Sequence, residues 1–361
     1  MEFGLSKEQT LLQDSVFRQL ERHAPLQRVQ RFVDQAVPRA DDVWDGLCEL
    51  GIPGMVIPEQ FGGIGCSLMD TALVAETLGA CIAPVPFVAT AVMAPLAFSL
   101  AGSEQQQSRW LGELAEGHMI AGVAIGEMIS SREGAGVVSD RSKLNGKALF
   151  VLDFEADLYV VADQNQRLFI VQSNAAGLQR RLLTTIDGTR RVGELVLEDV
   201  AAEQLPGSDD PDVCARLIDA GRIILAADTL GAAQTMLNKA VDYAKSRVQF
   251  GRVIGSFQAV KHMCAEMAAE LEPCRAMVWY AAHAFDALPD ESRLVTCHTK
   301  AHLSEVGTFI ARTATEVHGG IGFTDELGLH LWFKRIGANR QLLGSPTWLR
   351  EKAAKLQSLV Y

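Results

Sequence analysis

Between residues 147 and 200 the chain reads KALFVLDF (147–154), DLYVVAD (157–163), RLFIVQS (167–173) and VGELVLEDV (192–200). Asn145-Gly146, Asn174-Ala-Ala-Gly177 and Asp187-Gly188 stand at the breaks. Short runs rich in Val, Ile, Leu and Phe, bounded by Asn, Asp and Gly, are the pattern of strands joined by tight turns. They predict a small antiparallel β unit, with β-type texture from about 121 to 207. On its N-terminal side apolar residues recur mainly at helical spacing, as in Leu11, Leu12, Val16 and Leu20, then Val43, Leu47 and Leu50. GIPGMVIPEQFGGIG (51–65) and APVP (83–86) interrupt that region with loops. On the C-terminal side long helical patterns return around Cys214–Ser246, Gln258–Ala287 and Leu294–Glu316. The expected fold class is α+β: an N-terminal helical domain over 1–120, a middle antiparallel β domain over 121–207 and a C-terminal helical domain over 208–361. Strands and helices do not alternate and no GxGxxG follows a strand, which excludes a doubly wound nucleotide-binding sheet.

Composition narrows the function classes. The 361 residues carry 33 Lys+Arg against 44 Asp+Glu, a formal net charge of −11, and 48% are hydrophobic. A chain this apolar buries a large core, and disorder is excluded. An acidic chain without a Lys/Arg-rich run is not built for nucleic acid or an anionic membrane. The N-terminal MEFGLSKEQTLLQDSV lacks a basic-then-apolar leader pattern. The apolar stretch IILAADTLGAAQTML (223–237) is broken by Asp228 and too short to cross a bilayer. Seven cysteines are scattered singly with no CxxC pair, the usage of reduced thiols in a cytoplasmic protein and not of structural zinc.

Two segments of the C-terminal half carry chemistry. The first runs Tyr243-Ala-Lys-Ser-Arg247-Val-Gln249-Phe250-Gly251-Arg-Val-Ile254-Gly-Ser-Phe257-Gln258-Ala-Val-Lys-His262-Met; the second is Glu316-Val317-His318-Gly319-Gly320-Ile321-Gly322-Phe323-Thr324. Arg247 offers a planar fork matched to pyrophosphate oxygens. Phe250-Gly251 sets a flat apolar surface beside a sharp turn, and Gln258 presents both a donor and an acceptor. Gly319 and Gly320 have no Cβ, so backbone N–H groups can approach a phosphate.

Both segments resemble the signatures of the acyl-CoA dehydrogenase family. The resemblance extends through Pro58-Glu-Gln-Phe-Gly-Gly-Ile-Gly65 and the helix–strand–helix order, and it implies a C-terminal four-helix bundle. It also implies that Arg247, Gln249, Phe250, Gln258, Glu316, Val317, His318, Gly319 and Gly320 hold the pyrophosphate and adenosine end of an FAD belonging to a neighbouring subunit. The implied reaction is α,β-dehydrogenation of an acyl-CoA thioester, with electrons passed to an electron-transfer flavoprotein.

The other half of a flavin site departs from the family. Where a Thr-Glu-Pro stretch and a Gly-Ser-Asp step are expected, the chain reads Ala124-Ile-Gly126-Glu127-Met128-Ile-Ser-Ser-Arg-Glu-Gly134. Phe150-Val151-Leu152 stands where the family has Trp-Ile-Thr, whose hydroxyl faces the flavin ring, and leucine cannot hydrogen-bond a flavin. The family's base is a glutamate after the glycine cluster, where this chain has Leu343. In other members it precedes an arginine on the first long C-terminal helix, where this chain has Gly221 before Arg222. Neither residue accepts a proton, so no catalytic residue is expected here. Asp219 is expected on a solvated surface, about 200° round the helix from the base position. Arg222 either lines the substrate site or is a helix-surface ion-pair partner. His318 is expected to pack at the cofactor entrance, and His298 and His302, lacking a third ligand, are expected to hold no metal.

A retained nucleotide edge with a lost ring site and base resembles one subunit of the α₂β₂ bacterial acyl-CoA dehydrogenases that act on steroid side-chain CoA thioesters. The expected partner is a homologous catalytic subunit that houses the shared FAD. A self-sufficient homotetramer with an atypical base, or a flavin-free structural or acyl-CoA-binding module, are the alternatives.

Overall fold

The computed structural model describes residues 4–35, 37–130 and 132–359. Helices come first: α1 (Lys7–His23), α2 (Leu26–Asp34), α3 (Asp41–Cys48), α4 (Leu68–Ala80), α5 (Ala94–Ala101) and α6 (Glu104–Ala115), with a π-helical stretch at Val88–Met93 leading into α5. Strands follow: β1 (Ala121–Ala124), β2 (Gly136–Asp140), β3 (Lys143–Val151), β4 (Leu158–Ala162), β5 (Leu168–Gln172), β6 (Leu178–Leu182), β7 (Gly193–Ala201) and β8 (Glu203–Gln204). The C-terminal section holds α7 (Pro211–Ser246), the hairpin β9 (Val248–Gln249) and β10 (Arg252–Val253), α8 (Gln258–Ala287), α9 (Pro289–His318), α10 (Leu329–Gln341) and α11 (Pro346–Leu356). The chain is thus an α+β protein with a helical, a sheet and a second helical domain in that order.

Local chemistry sets the boundaries. Ser6 and Gln9 form a reciprocal capping box at the start of α1, and Ser103 and Gln106 form another at α6. Pro289 occupies the first turn of α9, where its missing N–H costs nothing, and Gly319 ends that helix at φ 64°. The strands form two four-stranded sheets, ordered β1-β4-β5-β8 and β2-β3-β7-β6. β4 is buried along its whole length, which is why its sequence is continuously apolar instead of alternating. One pairing corrects the antiparallel expectation: β1 and β4 run parallel, with Ala121 opposite Leu158 and Ala124 opposite Val161. The hairpin of β2 and β3 intervenes in the other sheet, and the chain then returns to lay β4 beside β1 in the same direction.

The chain gathers into two units. One comprises Met1–Gln35, Ala72–Ala83 and Ile223–Tyr361; the other comprises Ala36–Thr71 and Pro84–Arg222. In the first unit α8, α10 and α11 all pack on α9. Gly79 and Gly231 let two backbones meet there: a Cβ on Gly79 would run into the Asp228 carbonyl, and one on Gly231 into that of Glu76. The same unit encloses a charged cluster. Arg335 donates through Nε to Asp228 Oδ1 at 3.1 Å and through Nη2 to Oδ2 at 3.0 Å, and Asn339 Nδ2 donates to Oδ1 at 2.7 Å. Lys300 Nζ donates to the Asn339 carbonyl at 2.6 Å and to Ser304 Oγ at 3.2 Å. Arg335, Asp228, Asn339 and Lys300 are all buried.

Candidate nucleotide-binding edge

The first C-terminal motif leaves α7 as that helix ends. The Arg247 N–H caps the helix on the Tyr243 carbonyl at 2.8 Å, and the Arg247 carbonyl accepts from Ile254 N–H at 2.8 Å. Between them β9 and β10 pair Val248 with Val253 and Gln249 with Arg252. Phe250 and Gly251 make the two-residue turn, both left-handed at φ 51° and 77°. Such a turn matches the twist of a hairpin and favours glycine at its second position. The Phe250 ring is 90% exposed and meets Phe257 edge-on at 6.2 Å, while the Arg252 guanidinium lies 4.0 Å over the Phe257 ring. Gln258 opens α8. Arg247, Gln249 and Gln258 are exposed.

The second motif ends α9 in the same unit. His318 is buried, its Nδ1 is 2.7 Å from the Ala314 carbonyl, and its ring stacks on Tyr243 at 4.7 Å. That stack joins the two sequence motifs, because Tyr243 is one helical turn before Arg247. Val317 and His318 turn inward, so what they present at the edge is backbone. Glu316, Gly319 and Gly320 are exposed, and a Cβ built on either glycine, or on Gly251, would meet nothing within 4 Å. The edge therefore combines an open stretch of backbone, a guanidinium, two side-chain amides, a carboxylate and a bare aromatic face. This donor and acceptor set fits the phosphate and adenosine end of a dinucleotide.

Burial lowers the His318 pKa, and the neighbouring Lys239 charge pushes the same way against the hydrogen bond to the Ala314 carbonyl. A histidine held neutral in the folded state contributes stability that is full above its unfolded value of about 6.5 and is lost as pH falls through its lower folded value. His330 is lowered in the same direction by burial and Lys334. Thermal unfolding midpoints at pH 7 and pH 5 should therefore differ less in a His318→Gln variant than in the wild type. An identical drop in both would show that His318 is not proton-linked to folding.

The second unit holds the region where a flavin ring is expected. Leu152 is buried and its backbone is committed to a two-way bridge with Val123, at 3.1 Å and 3.0 Å. The next residue, Asp153, sits at φ 50° and its Oδ2 accepts the N–H groups of Ala89 at 2.6 Å and Thr90 at 3.2 Å, tying the strand end to the π-helical stretch. The Leu152 side chain offers no hydrogen bond to an isoalloxazine ring, where a hydroxyl would. Glu127 is buried to 8% side-chain exposure, with Arg132 Nη1 3.5 Å from its Oε1.

The two base positions are likewise apolar. Leu343 follows α10, buried and at φ 57°, and Gly221 lies inside α7. Asp219 departs from expectation. It is buried, not solvated, and accepts from Arg222 Nη1 at 2.9 Å, with Arg222 wholly buried as well. The ion pair is real but not on a surface, because every residue of α7 from Leu217 to Ala233 is buried and the helix has no solvated face there. Sequence reasoning also missed the Asp228–Arg335 pair. Its signal was a lone acid inside an apolar run, which must find a buried cation.

A helix–sheet–helix chain with an arginine-led hairpin beside a glycine turn has the frame of a flavin-dependent acyl-CoA oxidoreductase. Residues 6–118 match the acyl-CoA dehydrogenase N-terminal domain and residues 212–356 the acyl-CoA dehydrogenase C-terminal domain. The chain belongs to the acyl-CoA dehydrogenase family. It is 34% identical to the acyl-CoA dehydrogenase IpdE2 of Mycobacterium tuberculosis over 98% of both chains. A variant of the Tcur3481-Tcur3483 steroid ACAD superposes with a TM-score of 0.88 at 28% identity, over 98% of each chain. The ChsE4-ChsE5 complex from Mycobacterium tuberculosis shares the fold, at a TM-score of 0.90 over all of both chains and 24% identity. The family is FAD-dependent.

Proposed function

We propose that this chain is the base-lacking subunit of a heteromeric acyl-CoA dehydrogenase, acting on a steroid side-chain CoA thioester, and that it completes an FAD site housed mainly in a homologous catalytic subunit. The observation that carries this reading is an asymmetry. The nucleotide edge is exposed and polar, whereas the ring wall at Leu152 and the base positions at Leu343 and Gly221 are apolar.

Each residue of the edge has a part suited to its chemistry. Arg247 pairs with pyrophosphate oxygens, and the Gly319-Gly320 backbone leaves room beside them. Phe250 supplies a flat face for adenine, with Gln249 and Gln258 as amide partners. Glu316, an acceptor, suits a sugar hydroxyl or an adenine amine, not a phosphate. When bound, FAD would supply the acceptor for hydride from the substrate's β carbon, to be reoxidised by an electron-transfer flavoprotein. Leu343 and Gly221 offer no side chain that could take the α proton, so the base would have to come from the catalytic subunit. Kinship with IpdE2 and with a complex described as a steroid ACAD supports the substrate class.

The test is turnover of a steroid side-chain CoA thioester with a dye acceptor. The chain purified alone should be inactive, and co-expression with a catalytic acyl-CoA dehydrogenase subunit should restore turnover. Turnover by the chain alone would establish a self-sufficient enzyme instead.

A further inference from the structure

Strand β3 is irregular where the family resemblance puts the strand facing a flavin ring. Its pairing with β7 shifts between Ala148 and Val151, and Phe150, inside that shift, sits at φ 53°. A left-handed aromatic residue is a backbone outlier that persists only where its surroundings hold it. The Phe150 ring is 39% exposed, and the Arg132 guanidinium lies 4.8 Å from its centroid. Arg132 is fixed from two other directions. Its Nη1 donates to the Ser130 carbonyl at 3.2 Å and lies 3.5 Å from the buried Glu127 carboxylate. Among the described residues neither Glu127 oxygen has a hydrogen-bond partner, so the arginine is the cation that makes its burial tolerable. A planar guanidinium stacks on an arene much as a flat heterocycle does, and one face of one phenyl ring cannot carry both.

We infer that Arg132 is the residue that keeps an isoalloxazine ring out of this chain's own β domain, by occupying the Phe150 face under the hold of Glu127. The inference rests on the proposed function insofar as that reading leaves this chain without a flavin ring of its own. It goes further by making the exclusion an occupied site, not merely the loss of a hydroxyl at Leu152.

Riboflavin, which has the ring but neither phosphate nor adenosine, separates this idea from the role of Arg247. It is titrated into the full-length chain and its fluorescence followed. The wild type should show no saturable quenching, and Leu152→Thr should behave the same because the arginine still covers the ring. Arg132→Ala combined with Glu127→Gln, which avoids stranding the carboxylate, should show saturable quenching, with a midpoint at least tenfold below the highest riboflavin concentration at which the wild type shows none. Arg132→Lys, which keeps a cation for Glu127 but removes the planar face, should also gain binding and serves if the double variant does not fold. Saturable binding by the wild type, binding restored by Leu152→Thr alone, or no gain in the folded arginine variants would each overturn the inference. Arg247→Ala should leave all of these results unchanged, so a failure here is distinct from a failure of the shared-site reading.

Discussion

Replacing Arg247 with alanine is expected to strip flavin from the complex with the catalytic subunit while leaving this chain folded. The guanidinium is exposed at the end of α7, and its side chain has no hydrogen bond or ion pair among those described within this chain, so the fold should not depend on it. Against a pyrophosphate, hydrogen bonds from a charged donor contribute about 1.5–3 kcal/mol, which corresponds to roughly ten- to a hundredfold weaker retention. Flavin absorbance per complex after gel filtration measures the effect. Unchanged flavin content would remove Arg247 from the cofactor site and favour a structural or acyl-CoA-binding module. Turnover should fall in proportion to flavin lost and recover with excess FAD, since Arg247 contributes holding and not proton transfer.

The largest effect on stability is expected from Asp228→Ala. The Asp228 carboxylate takes two N–H groups of Arg335 and one of Asn339, all within the unit that contains α7, α9 and α10. A surface ion pair would matter little. Removing one partner of a buried pair costs about 3–5 kcal/mol, because the remaining charge loses its compensation. Asp228→Ala should therefore move the urea midpoint by a large part of the stability of a typical domain. A shift equivalent to less than about 1 kcal/mol would mean that Arg335 is satisfied by other groups, and the cluster would not be the anchor of α10.

Strands β4, β5 and β7 were legible in the sequence because each is apolar and bounded by turn residues, and α7, α8 and α9 because their helical patterns are long. Only the second half of β3 was legible: Asn145-Gly146, read as a break, lies inside that strand opposite Val138 and Val137, with Gly146 at φ 123°, and the turn falls at Arg141-Ser142. Strand β6, LQRRL, has four exposed residues out of five and no alternation, so nothing in it advertised a strand. Strand β1, AGVA, is buried throughout but too short and small to stand out, and its parallel partner is far along the chain. At the site, residue type and spacing pointed to both halves of the nucleotide edge. They could not show that a Tyr243–His318 stack joins them, nor that Val317 and His318 face inward. The burial of Asp219 is not encoded in its helical position, because α7 is packed on every side there and turning about 200° from the base position leads to another buried face. The Arg132–Phe150 cation–π contact depends on a backbone irregularity in β3 that no periodicity encodes.

The amount of FAD bound per polypeptide tests the account most directly, read from visible absorbance after purification of the chain alone and of its complex with a catalytic subunit. The account predicts a colourless single chain and a yellow complex holding one FAD for each pair of unlike chains. A yellow preparation of the chain by itself, with one FAD on every copy, would contradict it.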